Sequence, residues 1–218
     1  AERISLPTKL IYPLPKNADP SCGPLVEMLS IGYHACNRGR IEREDDVLVI
    51  GAGPIGLGAS LIAKERGARV GVVDQLESRL RLCRDLGIDF TFKANGEIEP
   101  EILRQFGRRP NVVVEAVGSA KTLEKGIEIV SAAGRVVYVG WTAESPNWRP
   151  DFFLRKELEL LGSRNSHHIF REVIDFYVRN QERLKRLVTH RFKMSEIEKA
   201  MHLIDTAGFQ TMKVILEW

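Results

Sequence analysis

Residues 47–56 read VLVIGAGPIG, an unbroken apolar run that gives way to a glycine-rich turn and then resumes at helical period. No other feature of the chain restricts its fold as tightly. A run without polar alternation suits a strand buried on both faces, as in a sheet covered by helices on each side. Gly51 allows the tight turn out of the strand, Gly53 leaves the backbone approachable, and Gly56 lets the following helix pack closely on the sheet.

The same succession repeats downstream. Strands are expected at 47–50, 69–73, 89–92, 111–117, 135–140 and 158–162, with helices at 55–66, 77–86, around 100–106 and at 120–132. Six strands alternating with helices imply crossover connections and an α/β, doubly wound, six-stranded parallel sheet of the Rossmann type. Ahead of it, Pro7, Pro13, Pro15, Pro20 and Pro24 exclude a long helix or a central strand from residues 1–24. A helix is expected from 25, with Leu25, Met28, Leu29, Gly32, Tyr33 and Cys36 on one face and Gly39 as its stop. After Gly162 the alternation ends. Helices are expected at 169–181 and 195–205 and a terminal strand at 213–218, and the basic run 179–193, with Leu184, Leu187 and Val188 at helix-like intervals, reads as a solvated helix face. The expected division is a linker over 1–24, a nucleotide-binding domain over 25–162 and a return segment over 163–218.

A glycine turn that follows a strand and opens a helix is a dinucleotide site in the making. Gly51, Gly53, Pro54, Ile55 and Gly56 would present free N–H groups and the positive end of the helix dipole to a diphosphate. The second strand ends in Asp74, whose carboxylate can accept both hydroxyls of an adenosine ribose and would repel the extra phosphate of NADP. No arginine immediately follows it, so NAD is the expected cofactor. The alternative is that Asp74 only caps the next helix, whose first turn holds Glu77. Arg79 could lie over the adenine edge or be a solvated surface residue. Ala116, Val117 and Gly118, with Val139, Gly140 and Trp141, end later strands, where small or apolar residues suit a nicotinamide ring and plain core packing alike.

Among 218 residues, 28% are charged and the net charge is only +3, with basic residues spread along the chain, so no nucleic-acid partner is expected. Apolar stretches are strand-sized, and the first twenty residues lack the pattern of a signal peptide, so no membrane partner is expected either. Cys22, Cys36 and Cys83 form no C-x-x-C pair and no disulfide framework, which points to a reducing, cytoplasmic setting. His34 and Cys36, two apart, point in different directions on a helix. His167 and His168 stand without further ligands nearby in the chain. The first residue is Ala rather than Met, which is read as truncation or processing.

Three stretches together resemble the sorbitol-dehydrogenase branch of the zinc-type medium-chain alcohol/polyol dehydrogenases: LVEMLSIGYHAC (25–36), VLVIGAGPIGLGASLIAKERGARVGVVD (47–74) and LVTHRFKMSEIEKAMHLI (187–204). The closing GFQTMKVILEW resembles that family's final strand. The resemblance implies a two-domain subunit that oxidises a secondary alcohol to a ketone, with hydride passing to NAD and a zinc ion polarising the alkoxide. GSRNS (162–166) resembles relatives acting on sugar acids such as gulonate or galactonate. On the same resemblance Glu27 matches the glutamate of a Glu-Pro-Leu pattern at or beside the zinc, with Met28 in place of the proline. Arg164 corresponds to the arginine facing that glutamate. His190 is read as structural.

The family's cysteine and Gly-His-Glu zinc ligands have no counterpart in these residues and would lie upstream. The chain alone is therefore expected to be inactive, its zinc ligands mostly outside it. A homo-oligomer is implied, with Trp148 near an interface or the nucleotide cleft. The competing reading is a dinucleotide-binding module without chemistry, serving as a sensor or interaction subunit.

Overall fold

The computed structural model describes residues 3–207 and 210–218. Ala1 lies outside the described residues, as do Gly208 and Phe209 at the head of the closing stretch. Residues 29–167 form one compact unit, and residues 1–28 with 168–218 form another.

The larger unit is built on strands β1 (Asp46–Ile50), β2 (Arg69–Asp74), β3 (Phe90–Lys93), β4 (Val112–Glu115), β5 (Arg135–Tyr138) and β6 (Glu159–Gly162). They form one parallel sheet in the order β3-β2-β1-β4-β5-β6. Helix α1 (Leu25–Arg38) leads in, and α2 (Pro54–Glu65), α3 (Glu77–Asp85), α4 (Glu99–Phe106) and α5 (Ala120–Ile129) cross over between strands. A six-residue α6 (Asp151–Lys156), which sequence periodicity does not announce, precedes β6. The order reverses at β1, which has β2 on one side and β4 on the other. Such a reversal opens a crevice beyond the carboxyl ends of the strands.

The packing follows from the residue types. Every residue of β1 and β4 is buried, as continuous apolar runs require. One core joins Leu48, Ile50, Val73, Val113 and Val136 of the sheet to Ile102, Phe106, Leu123 and Ile127 of α4 and α5. Trp148 lies against this core and meets Phe153 edge-on at 5.7 Å. Gly32 of α1 sits so near α2 that a Cβ there would stand 2.6 Å from the Ala59 nitrogen.

The amino ends of the strands are tied by charge. Asp46, 1% exposed, receives hydrogen bonds from Arg69 Nε at 2.6 Å and Nη2 at 2.8 Å, and from Arg108. Next to it Asp45 pairs with Arg135 and accepts from Asn111 Nδ2 at 2.6 Å, while the Asp46 N–H donates to Asn111 Oδ1 at 2.7 Å.

In the smaller unit, α7 (Phe170–Leu184) is followed by β7 (Val188–Lys193), then α8 (Ile197–Ala207) and β8 (Lys213–Glu217). Among the described residues before α1, the chain is irregular apart from two short 3-10 turns. Tyr12 stacks on Phe170 at 5.2 Å, the Tyr177 hydroxyl donates to the Asp19 carbonyl, and the Asp19 N–H donates to Gln181 Oε1 at 2.8 Å. The expectation of one helical face across 179–193 is corrected here. The helix ends at Leu184, a 3-10 turn covers Lys185–Leu187, and 188–193 is a strand parallel to β8. Burial along Val188–Lys193 alternates residue by residue, and this period of two overrides the helix-like spacing of the leucines before it.

Burial alone would raise the Asp46 carboxyl, but hydrogen bonds from Arg69 and then Arg108 prevail and hold it below its ordinary 3.8. A depressed folded-state value adds stability that is fully present above the ordinary value and is lost as pH falls through the folded one. The Asp46→Asn protein should be less stable than wild type by roughly 1–3 kcal/mol at pH 7. In urea unfolding, that gap should narrow as pH is lowered below about 4; a gap constant down to pH 2.5 would contradict the assignment.

Candidate functional site

The last rung of the sheet aligns Ile50 with Val73 on one side and with Glu115 on the other, and Glu115 in turn with Tyr138. Beyond that rung the expected strands stop short: 116–118 and 139–141 are turns rather than ladder. These turns and the glycine turn of β1 form the rim of the crevice, all within the larger unit.

The glycine turn is built without slack. Gly51 has φ +102°, and a Cβ there would meet Val117 Cγ2 at 2.8 Å. A Cβ on Gly56 would stand 1.9 Å from the Gly51 carbonyl oxygen, so no side chain fits. Gly53 differs: the nearest atom to a Cβ there is Arg79 Nη1, 4.0 Å away. Its missing side chain leaves open space instead of relieving a clash. Pro54 starts α2 pre-set for helix, and no side chain caps the first turn. Amide groups of Gly53, Ile55 and Gly56 thus lie at the positive end of the α2 dipole, where an anion is stabilised.

Asp74, 8% exposed, ends β2 and reaches both neighbours. Its Oδ2 accepts from the Ala52 N–H of the glycine turn at 2.7 Å, and its Oδ1 accepts from the Leu76 N–H, the N-cap of α3, at 2.7 Å. The bond to Leu76 is a local turn contact rather than a cap, since no side chain caps the first turn of α3. Each oxygen has a second lone pair, so the group can still accept two further donors. Arg79, read from the sequence as an adenine-edge or surface residue, places Nη1 3.8 Å from Asp74 Oδ2, and its buried Nε has no partner.

Across the reversal point, Val117 and Trp141 project outward, 52% and 82% exposed. Gly118, φ +83°, fits against the Trp141 backbone, whose nitrogen would be 2.7 Å from a Cβ there. Glu115, which pattern reading missed, organises both turns. Its Oε1 accepts from the N–H groups of Val117 and Gly118, each at 2.9 Å, and from Thr122 Oγ1 at 2.8 Å. Its carbonyl accepts from the N–H groups of Val139 at 2.9 Å and Gly140 at 3.2 Å. The available signal was a lone acid closing a strand of valines.

Of the expected residues, Gly51, Gly53, Pro54, Ile55, Gly56, Asp74, Arg79, Ala116, Val117, Val139, Gly140 and Trp141 all follow the carboxyl ends of β1, β2, β4 and β5 or, for Asp74, close one of them, within the larger unit. Glu27 belongs to the smaller unit, exposed in the first turn of α1 with Lys213 Nζ at 3.9 Å. Arg164, in the larger unit, lies over the Trp141 ring at 5.9 Å. Among the described residues no three His, Cys, Asp or Glu side chains converge as metal ligands would. Burial pushes the thiols of Cys36 and Cys83 up to about 12, so neither is a ready nucleophile. Also among the described residues, no helix is long and apolar enough to cross a membrane.

The zinc-binding dehydrogenase family model matches residues 54–179. Sorbitol dehydrogenase of Mus musculus is 34% identical over 201 residues, covering 90% of this chain and 56% of the relative. An alcohol dehydrogenase of Escherichia coli CFT073 complexed with NADH aligns with a TM-score of 0.90 at 25% identity, covering 98% of this chain and 64% of that one. A zinc-binding dehydrogenase of Sinorhizobium meliloti 1021 bound to NADP aligns with a TM-score of 0.86 at 25% identity, over 97% of this chain and 64% of that one. The chain spans 55–61% of the length of the curated relatives it matches most strongly. A doubly wound sheet with a glycine turn and an acid at its reversal point, matched by the family model over most of the larger unit, leads to one conclusion: the chain belongs to the zinc-binding dehydrogenase family.

Proposed function

We propose that the chain is the NAD-preferring, dinucleotide-binding part of a dehydrogenase that oxidises a secondary alcohol of a polyol or sugar acid to a ketone. The observation that carries this reading is the Asp74 carboxylate hydrogen-bonded to the glycine turn, with acceptor capacity left on both oxygens. Bound NAD would supply the hydride acceptor. The amides at the start of α2 would take its diphosphate, Asp74 would take the adenosine ribose hydroxyls, and Val117 and Trp141 would flank the nicotinamide half.

Glu27 and Arg164 are proposed, on family resemblance, to stand at the alcohol-binding end. A zinc ion does not fit this chain's own residues, because no ligand set forms among those described. The second reading is a nucleotide-binding module without chemistry. Homo-oligomerisation and a cytoplasmic setting are proposed on the resemblance and on cysteine usage.

Fluorescence titration of the purified chain with NADH tests the cofactor site. The Gly53→Val protein should keep the wild-type unfolding midpoint yet bind NADH at least about tenfold more weakly, because the new side chain enters the space meant for a diphosphate. Gly56→Val should fail to fold at all. Asp74→Ala should cost NAD affinity roughly tenfold, the loss of charge-assisted hydrogen bonds, and should narrow the margin over NADP because Arg79 remains to meet a phosphate. Equal wild-type affinities for NAD and NADP would count against the specificity assigned to Asp74. The chain alone should turn over neither sorbitol nor a sugar acid. Chelator-sensitive turnover would reverse that expectation and dismiss the module reading with it.

A further inference from the structure

Glu115 has no exposed surface, yet half of its carboxylate is unsatisfied. Three donors converge on Oε1, as described above, while Oε2 is buried without any hydrogen-bond partner and lies beneath Gly140, 2.8 Å from where a Cβ would be. Among the described residues, no Lys, Arg or His forms an ion pair with it. All of its side-chain hydrogen bonds are ones it accepts. A buried negative charge that lacks a countercharge is costly, and a low-dielectric surrounding lets it act over several ångströms.

The position of this charge matters. It ends β4, on the far side of the reversal point from Asp74, below the two turns that carry Val117 and Trp141. If the dinucleotide lies as proposed above, on which this inference rests, its nicotinamide half lies over these turns. That ring is cationic in NAD+ and neutral in NADH. We infer that Glu115 is a specificity-determining residue for cofactor redox state, its buried carboxylate favouring the oxidised, positively charged ring over the reduced one. A merely structural clamp would need the three hydrogen bonds at Oε1 and would be indifferent to the charge at Oε2.

Calorimetric titration of the chain with NAD+ and with NADH provides the test. Glu115→Gln retains the shape and the acceptor at Oε1 but removes the charge, and should lower the NAD+-to-NADH affinity ratio at least about threefold. An unchanged ratio with both cofactors still bound overturns the inference. Should the variant not fold, wild type is titrated with benzamide adenine dinucleotide, whose ring has the shape of nicotinamide without its charge. NAD+ should bind it at least about threefold better than this analogue does, and equal binding overturns the inference. Wild-type protein that binds neither NAD+ nor NADH would instead sink the nucleotide reading of the preceding subsection.

Discussion

The hydrogen bond between the Ala52 N–H and Asp74 joins two adjacent parallel strands just beyond the point where their ladder ends. Parallel strands hand their chains to helices at this edge, so the rim has no hairpin to close it, and other contacts must hold it. Here Asp74 holds β1 to β2, and Glu115 holds the turns after β4 and β5. Both acids are buried, and both receive backbone N–H donors at distances typical of charge-assisted bonds. The crevice is therefore shaped before any ligand arrives, which limits the ordering cost of binding.

Much of this architecture was readable in the chain because doubly wound sheets write themselves in a simple alphabet. Fully buried strands such as Val112–Glu115 and Asp46–Ile50 appear as apolar runs, and helices resume a period near 3.6 between them. Boundaries were less legible. The apolar run continues through Ala116 and Val117, but the ladder stops at Glu115, because Gly118 turns the backbone and Val117 faces solvent. Hydropathy does not distinguish a valine inside a sheet from one on its rim.

Two features escaped for different reasons. Val188–Lys193 follows a basic helix whose leucines continue at helical intervals, and three alternations in six residues are a faint signal against that background. The strand becomes evident only with its partner β8, a contact distant in sequence. Glu115, and the approach of Arg79 to Asp74, are the converse case. Their residue types were plain, but their roles depend on what the fold places opposite them. Arg79 reaches Asp74 because α3 turns its first residues back over the rim, and an orphaned carboxylate oxygen is a property of packing alone.

The band of ion pairs along the opposite edge has a mechanical consequence. Asp45 and Asp46, with Arg69, Arg108, Asn111 and Arg135, stitch the starts of β1, β2, β4 and β5 together through side chains. At the other edge the strands are joined by turns and two acids, with glycines at the points of closest approach. The sheet is thus pinned at both margins, by charge pairs between side chains at its base and by acids bound to backbone N–H groups at its rim. Salt that screens the charge pairs at the base would therefore leave the rim, where the acids grip backbone amides, in place.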